Sequence, residues 1–514
     1  MTENLTRSAD AAPAAPDSQD ERAIDPRTRR LAFSAILLTT LLAALDQSIV
    51  ATALPRIVGS LGGFNSLSWI VSAYLLASTV TIPLYGKLSD LYGRRLLFAV
   101  AISVFLLGSV LCGVAQSMGQ LIAFRALQGL GAGGLVPLAQ AAIGDLYTPR
   151  ERGKYQGYVS SMWGIAAVSG PLLGGTLTQA ISWRWIFYVN LPIGLVTLVV
   201  VVKTLKGVRG RAHQIDYAGA IALGLSLCAI LVACAWSGTT YPIGSPEVIG
   251  PFVAGLLGLV VFAWVERRAG EPIIPSELLH SRVFLTAAGA FFVIGANVFA
   301  VAIYLPVYLQ DVRGNTPTLA GVTMISYSGA WVVTSVVVGR LITGTGRYRI
   351  FPIIGTSMSA LGMVLLILVG SQTGRVEVCL ILAIGGCGQG MTASPYLVAA
   401  QNAISPVVFG SASAAMNLMR AIGGSLSVSV LGALLASRAR SVIERRLGTS
   451  AHIDVGRLTS GVGTAGGKHA PVVHAALLSG LHAVYLVAAI VGLCGVGFSL
   501  ALEERPLSTK LARR

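Results

Sequence analysis

Across 514 residues, 54% hydrophobic side chains, 11% charged ones and a mean hydropathy of +0.74 exclude a cytosolic enzyme, a disordered chain and a disulfide scaffold, because soluble proteins carry about 25% charged residues. The composition is that of an all-α polytopic membrane protein. The formal charge of +16 raises nucleic acid as a partner, but most Lys and Arg lie in the segments between apolar stretches on one side, so the excess reads as topology.

Residues 1–30 mix acids, bases, Ala, Pro and Ser without apolar periodicity and read as a disordered cytoplasmic tail. No short apolar core ahead of a small-residue cleavage site marks a signal peptide. A spanning helix needs about 20 mostly apolar residues, and fourteen stretches meet that test. The first six, at 31–55, 69–84, 96–115, 121–143, 158–177 and 185–202, form a six-helix bundle over 31–203. Residues 204–268 hold a cytoplasmic loop and two inserted spans at 217–236 and 248–265. A second six-helix bundle over 269–501 has spans at 284–309, 320–342, 350–369, 376–400, 408–436 and 477–500, with a long outer loop at about 437–476. A second cytoplasmic tail covers 502–514. An even number of spans puts both termini on one side, and the Lys/Arg bias makes that side the cytoplasm, N-in/C-in. The basic residues of the long outer loop, Arg438, Arg440, Arg445, Arg446, Arg457 and Lys468, run against the bias and are outweighed by the other loops.

The two bundles carry related sequence. GKLSDLYGRR, beginning at Gly86, returns as GRLITGTGRYR at Gly339 with the same Gly, Leu, Gly and Arg spacing. Internal repeats in a membrane protein point to a transporter with its site between the halves. The six cysteines all fall in spans and form no CxxC, so they read as small buried hydrophobes. No nucleophile, base and orienter group together, no metal-ligand spacing occurs, and His482 inside the last span reads as a packing or interfacial residue. The expectation is a protein that is not an enzyme, with no metal and no cofactor.

Of 21 acidic residues, only Asp46 sits well inside an apolar stretch. A carboxylate at that depth costs at least about 2.5 kcal/mol and marks a functional site, here one able to take up and release a proton. Arg125 and Arg420 are the two cations inside spans. At about 1.5 Å per residue, both reach a depth from which they can meet Asp46, and the sequence leaves open which of them does.

LDQSIVATALP (45–55), GKLSDLYGRR (86–95), LIAFRALQGLGAGG (121–134), GPLLGG (170–175) and SWRWIFYVNLPIG (182–194) resemble the signature set of the fourteen-span drug:proton antiporters of the major facilitator superfamily, the EmrB/QacA-like group. IDYAGA, EPIIP, YLPVYLQDVRG and MRAIGGSL extend the resemblance over nearly the whole chain. It implies a major-facilitator-type fold, with Gly86, Asp90, Gly93, Arg94 and Arg95 as a conformational latch. Thr343 replaces the latch Asp in the second copy, so only the first latch is expected to be charge-dependent. It also implies that Arg125 lies in the family's proton-coupling motif, with either Arg125 or Arg420 left as the switch on the proton carrier Asp46, and that Gly170, Pro171, Gly174 and Gly175 form the antiporter motif that sets the direction of transport. The family's usual Gly ahead of that motif is Ala166 here.

The function expected is a proton-coupled exporter of lipophilic or amphiphilic small molecules working by alternating access, energised by a proton gradient and functional as a monomer in a bacterial cytoplasmic membrane. Gln47, Tyr74, Gln128, Trp163, Asn297, Tyr304, Trp331 and Asn417 are candidates to line an aromatic, amide-bearing cavity. The C-terminal spans hold no mid-membrane acid, which points to a neutral, monovalent or bulky lipophilic substrate. A narrow exporter of one metabolite or lipid would use the same motifs. A sensor or channel is the reading from another class, and a channel predicts a polar pore-lining stripe that the sequence lacks.

Overall fold

The computed structural model describes residues 25–62, 67–205, 216–237, 241, 244–447 and 470–509. Most of the tail expected at 1–30, residues 206–215 of the cytoplasmic loop, 448–469 of the outer loop and 510–514 of the second tail lie outside the described residues.

Thirteen helices among the described residues are long and apolar enough to cross a membrane. The first half comprises α1 (Pro26–Leu61), α2 (Leu67–Tyr92), α3 (Arg94–Val114), α4 (Met118–Leu146), α5 (Pro149–Ala180), the short α6 (Trp185–Tyr188) and α7 (Asn190–Thr204). Asp25, Ser117 and Thr148 accept backbone N–H bonds at the starts of α1, α4 and α5, satisfying donors a helix leaves unpaired at its first turn. Helix α1 therefore begins inside the stretch expected to be disordered, at Pro26. The long helix outside the thirteen is α5, whose Ser, Gln, Gly and opening charges dilute its apolar character. It packs between α1 and, in the second half, the helix at Pro317–Thr345. Its small and polar residues, Gly153, Gln156, Gly157, Ser160 and Gly164, are buried there, because small side chains let backbones approach closely.

The inserted pair α8 (Tyr217–Trp236) and α9 (Pro246–Glu266) packs on itself, and α8 also touches α2. A core of Ile82, Leu223, Leu227, Phe262 and Leu418 ties the pair to both halves. Much of α9 faces outward, with Val253, Leu257, Val260, Val261 and Trp264 exposed. Such a face is stable only against lipid.

The second half comprises α10 (Ser276–His280), α11 (Arg282–Val307), α12 (Pro317–Thr345), α13 (Ile350–Ile367), α14 (Arg375–Gly390), α15 (Ala393–Asn402), α16 (Phe409–Leu447) and α17 (Ala470–Ala501). Two departures from the expected spans have local causes. The stretch expected at 376–400 is broken after Gly390, the end of a GGCGQG run, into α14 and α15. Residues 437–447, placed by sequence in the outer loop, continue α16 as helix, because Ala439 and Ile443 repeat at helical spacing and are buried against Ala476 of α17. Residues 470–476 likewise belong to α17.

The halves meet chiefly through α5 with α12 and α2 with α16, with further contacts of α4 to α16 and α5 to α15. Their mutual hydrogen bonds gather toward the end where α2 and α4 finish and α5 and α16 begin.

Candidate functional site

Asp46 lies in the interior of the first half, fully buried, with its Oδ2 2.8 Å from Nη1 of Arg125, itself 1% exposed. The other carboxylate oxygen accepts from the Gln128 amide at 2.8 Å and the Asn190 amide at 3.0 Å. Those two amides also donate to the Ser109 hydroxyl, and Arg125 Nη1 donates to Gln128 Oε1 at 2.7 Å. Nε of Arg125 reaches the Ile70 carbonyl, and the guanidinium lies 4.1 Å from the centroid of the Tyr74 ring. Five helices thus supply one network: α1 the acid, α4 the cation and an amide, α3 the hydroxyl, α7 a second amide and α2 the aromatic face. Removing one partner of such a buried pair costs about 3–5 kcal/mol, because it strands the other charge. The α2–α4 approach that permits this geometry runs through Gly129 and Gly133, where a side chain would meet the Tyr74 and Ser78 carbonyls.

Arg420 does not reach Asp46. Its guanidinium lies over the Trp163 ring, 4.4 Å from the centroid, a contact worth up to about 2 kcal/mol when desolvated. It lines a cavity of about 30 Å³ between the halves, together with Gln140, Gln156, Ser160, Trp163, Trp331 and Gln389, roughly the room one water occupies. Trp163 and Trp331 are the two expected cavity residues found there. Tyr74 and Gln128 belong to the Asp46 network. Gln47 is half-buried beside Asp46 in α1. Asn297 is buried against Gly492, and Tyr304 donates to the Val428 carbonyl, both inside the second half. Asn417 donates across the interface to Gln140 at 2.6 Å.

At the end where the bonds between the halves gather, Asp90 bridges them. Its carboxylate accepts from the backbone N–H of Gly410 at 2.9 Å, and from both the N–H and the hydroxyl of Ser411, at 2.7 and 2.8 Å, so it sits on the first turn of α16 where the helix dipole favours an anion. Arg94 pairs with Asp90 at 2.7 Å and with Asp145 at 3.0 Å, and donates to Ser89. Gly93 holds φ at +87°, a backbone state reserved for glycine between α2 and α3. A side chain at Gly86 would run into Ala414 and the Gly410 carbonyl. Arg95 is exposed and takes no part in this set.

The second copy of the repeat faces the start of α5. The Thr343 hydroxyl accepts from the Lys154 N–H at 3.1 Å, while Arg150 donates to the Thr343 and Gly344 carbonyls at 3.0 and 2.8 Å. Thr343 therefore ties the second copy to α5 through its hydroxyl, beyond the first turn of that helix, and the charge arrives from the opposite helix as Arg150. Gly339 closes on Gly153 and Gly157.

Gly170 and Gly174 pack α5 onto Ser48, Ile49 and Thr52 of α1, and Ser48 donates to the Ala166 carbonyl at 2.9 Å. Pro171 is exposed, and Gly175 has open space around it, so two of the four motif residues make this contact. Sequence reasoning passed over Ser109 and Asn190 beside Asp46, and Gln140, Gln156 and Gln389 in the cavity. A signal existed for Asn190, which stands alone as an amide between apolar stretches in IFYVNLPIG.

Residues 36–428 match the sequence profile of the Major Facilitator Superfamily. Multidrug resistance protein 3 of Bacillus subtilis (strain 168) is 37% identical over 398 residues, covering 77% of this chain and 78% of that protein. The efflux pump FUS6 of Gibberella moniliformis is 39% identical over 360 residues, 67% of this chain and 63% of that one. Among solved structures, the human organic anion transporter MFSD10 (TETRAN) superposes with a TM-score of 0.59 at 15% identity, over 90% of this chain and 99% of that chain, a likeness of fold.

Proposed function

The chain belongs to the Major Facilitator Superfamily and is a multi-pass membrane transporter of small molecules, not an enzyme, and from that premise we propose a fourteen-span drug:proton antiporter of the EmrB/QacA-like group. In this reading α5 is the span beyond the thirteen apolar ones, and both termini face the cytoplasm of a bacterial cell. The protein works as a monomer, without a bound cofactor, and draws its energy from the proton gradient.

The observation that carries the reading is the buried Asp46–Arg125 pair inside its cage of amide and hydroxyl donors. A carboxylate this deep takes its partners from other helices. A cycle that moves those helices trades the partners for a proton and, on returning, releases the proton when Arg125 re-engages. Asp90, Gly86, Arg94 and the Thr343–Arg150 contacts close the cytoplasmic end, and the α1–α5 contact through Gly170 and Gly174 is the surface that rearranges between states. The names of the relatives, a multidrug resistance protein and an efflux pump, support export of lipophilic or amphiphilic compounds.

The test is uptake of lipophilic fluorescent probes into proteoliposomes with an acidic lumen, comparing wild type with Asp46→Asn. Wild type is expected to accumulate probe, the variant at least about tenfold less, and an uncoupler is expected to abolish the signal. Equal uptake by the folded variant sinks Asp46 as the carrier. Uptake indifferent to the uncoupler sinks proton coupling.

A further inference from the structure

Among the residues lining the cavity between the halves, Arg420 is the one ionisable side chain. No carboxylate among the described residues pairs with it, and its contact is the face of Trp163. The single acid deep in the spans, Asp46, is committed to Arg125 inside the first half and lies outside this lining. The remaining polar lining is uncharged, with Gln156 and Gln389 beside Arg420, and the Trp331 indole N–H bonded to the Ser160 hydroxyl.

A half-buried guanidinium lacking a counter-charge repels a cation and gains by meeting an anion. Its planar fork of donors matches a carboxylate, sulfonate or phosphate in two-point contact. The geometry points to an anionic amphiphile as the substrate class, with its acidic group on Arg420 and a flat apolar body against Trp163 and Trp331. The cavity here has room for about one water. Occupancy therefore requires the halves to part, and the acidic group then takes the place at the guanidinium that the Trp163 ring now fills. This rests on the reading of the chain as a small-molecule exporter and narrows it, since it disfavours the lipophilic cations that a mid-membrane acid would attract.

The experiment is equilibrium binding to full-length protein in nanodiscs, corrected with empty discs. Its probes are two molecules on one skeleton, anionic 1-anilinonaphthalene-8-sulfonate and uncharged N-phenyl-1-naphthylamine, with cationic ethidium as the third. No gradient is applied, so the result does not depend on proton coupling. Wild type is expected to bind the sulfonate at least about tenfold more tightly than its uncharged analogue and more tightly than ethidium. Arg420→Gln should lose that advantage while holding the uncharged analogue unchanged, which also shows that the variant is folded, and Arg420→Lys should keep part of it. Equal binding of sulfonate and analogue by wild type, tighter binding of ethidium, or an equal loss of both naphthyl probes in Arg420→Gln would overturn the proposal. Failure of the exporter reading shows elsewhere, as absent gradient-driven uptake beside intact charge selectivity.

Discussion

Asp46 accepts one bond from a cation and two from carboxamides, and each donor is held by another group, Gln128 and Asn190 both by Ser109. Each of these donors makes more than one bond, and one deletion leaves a buried acceptor short. Asn190→Ala is therefore expected to cost about 1–3 kcal/mol, seen as a lower apparent Tm of the detergent-solubilised protein, while Arg95→Ala, exposed and outside these bonds, should leave the Tm nearly unchanged. Asp46 and Arg125 were legible in the sequence because a charge among apolar residues has no bland reading. The choice between Arg125 and Arg420 was not, because depth along a helix says nothing of which helices are neighbours or which way a side chain turns. Ser109 was invisible for a plainer reason: a lone hydroxyl in a span bonds its own helix backbone as readily as anything else. The same ambiguity sent Tyr74 and Gln128 to the cavity in expectation, when both turn toward the acid.

At the scale of single helices, the seam between α2 and α16 combines a close approach with a cap. Gly86 brings the backbones together, and Asp90 then meets the first N–H groups of α16. Asp90→Asn keeps the shape but removes the charge and one acceptor oxygen, weakening bonds worth about 1.5–3 kcal/mol when charged. The ratio of closed to open molecules at this end should fall about tenfold. Spin labels at Arg95 and Val407, both exposed, would report the change as a longer distance population. Gly86→Val should open the seam further, since its side chain would enter Ala414; a distance distribution identical to wild type would show that the approach is not what sets closure. The helices themselves were legible from apolar runs. Their ends were less so where charge and periodicity disagree. SRARSVIERRL at the end of α16 reads as a loop by its arginines and as a helix by Ala439 and Ile443, and packing against α17 decides for the helix. The break between α14 and α15 falls inside a stretch apolar enough to pass for one span, and its signal was the glycine-rich GGCGQG rather than any loss of hydropathy.

Across the whole molecule, the repeat produces two seams built on one plan. Each copy offers a side-chain oxygen to a backbone N–H in the other half, Asp90 on the first turn of α16 and Thr343 at Lys154 of α5, and each places a glycine at the closest approach, Gly86 and Gly339. The sequence suggested one charged latch and one neutral one, because a motif comparison sees only the helix that carries the motif. The structure supplies the missing charge from α5, where Arg150 donates to two carbonyls at the end of α12, a position that favours a cation. Two clamps holding one closed end make a quantitative expectation. Arg150→Gln alone should lower the closed-to-open ratio by about tenfold, as Asp90→Asn does, and the double variant by about a hundredfold, because free energies of separate contacts add when both favour the same state. The spin-label pair on the first seam measures this even for the change made at the second. A double variant no more open than either single one would mean that the seams part independently and that neither clamps the whole end. Additivity would mean that the two halves close as rigid partners, so that breaking either seam loosens both.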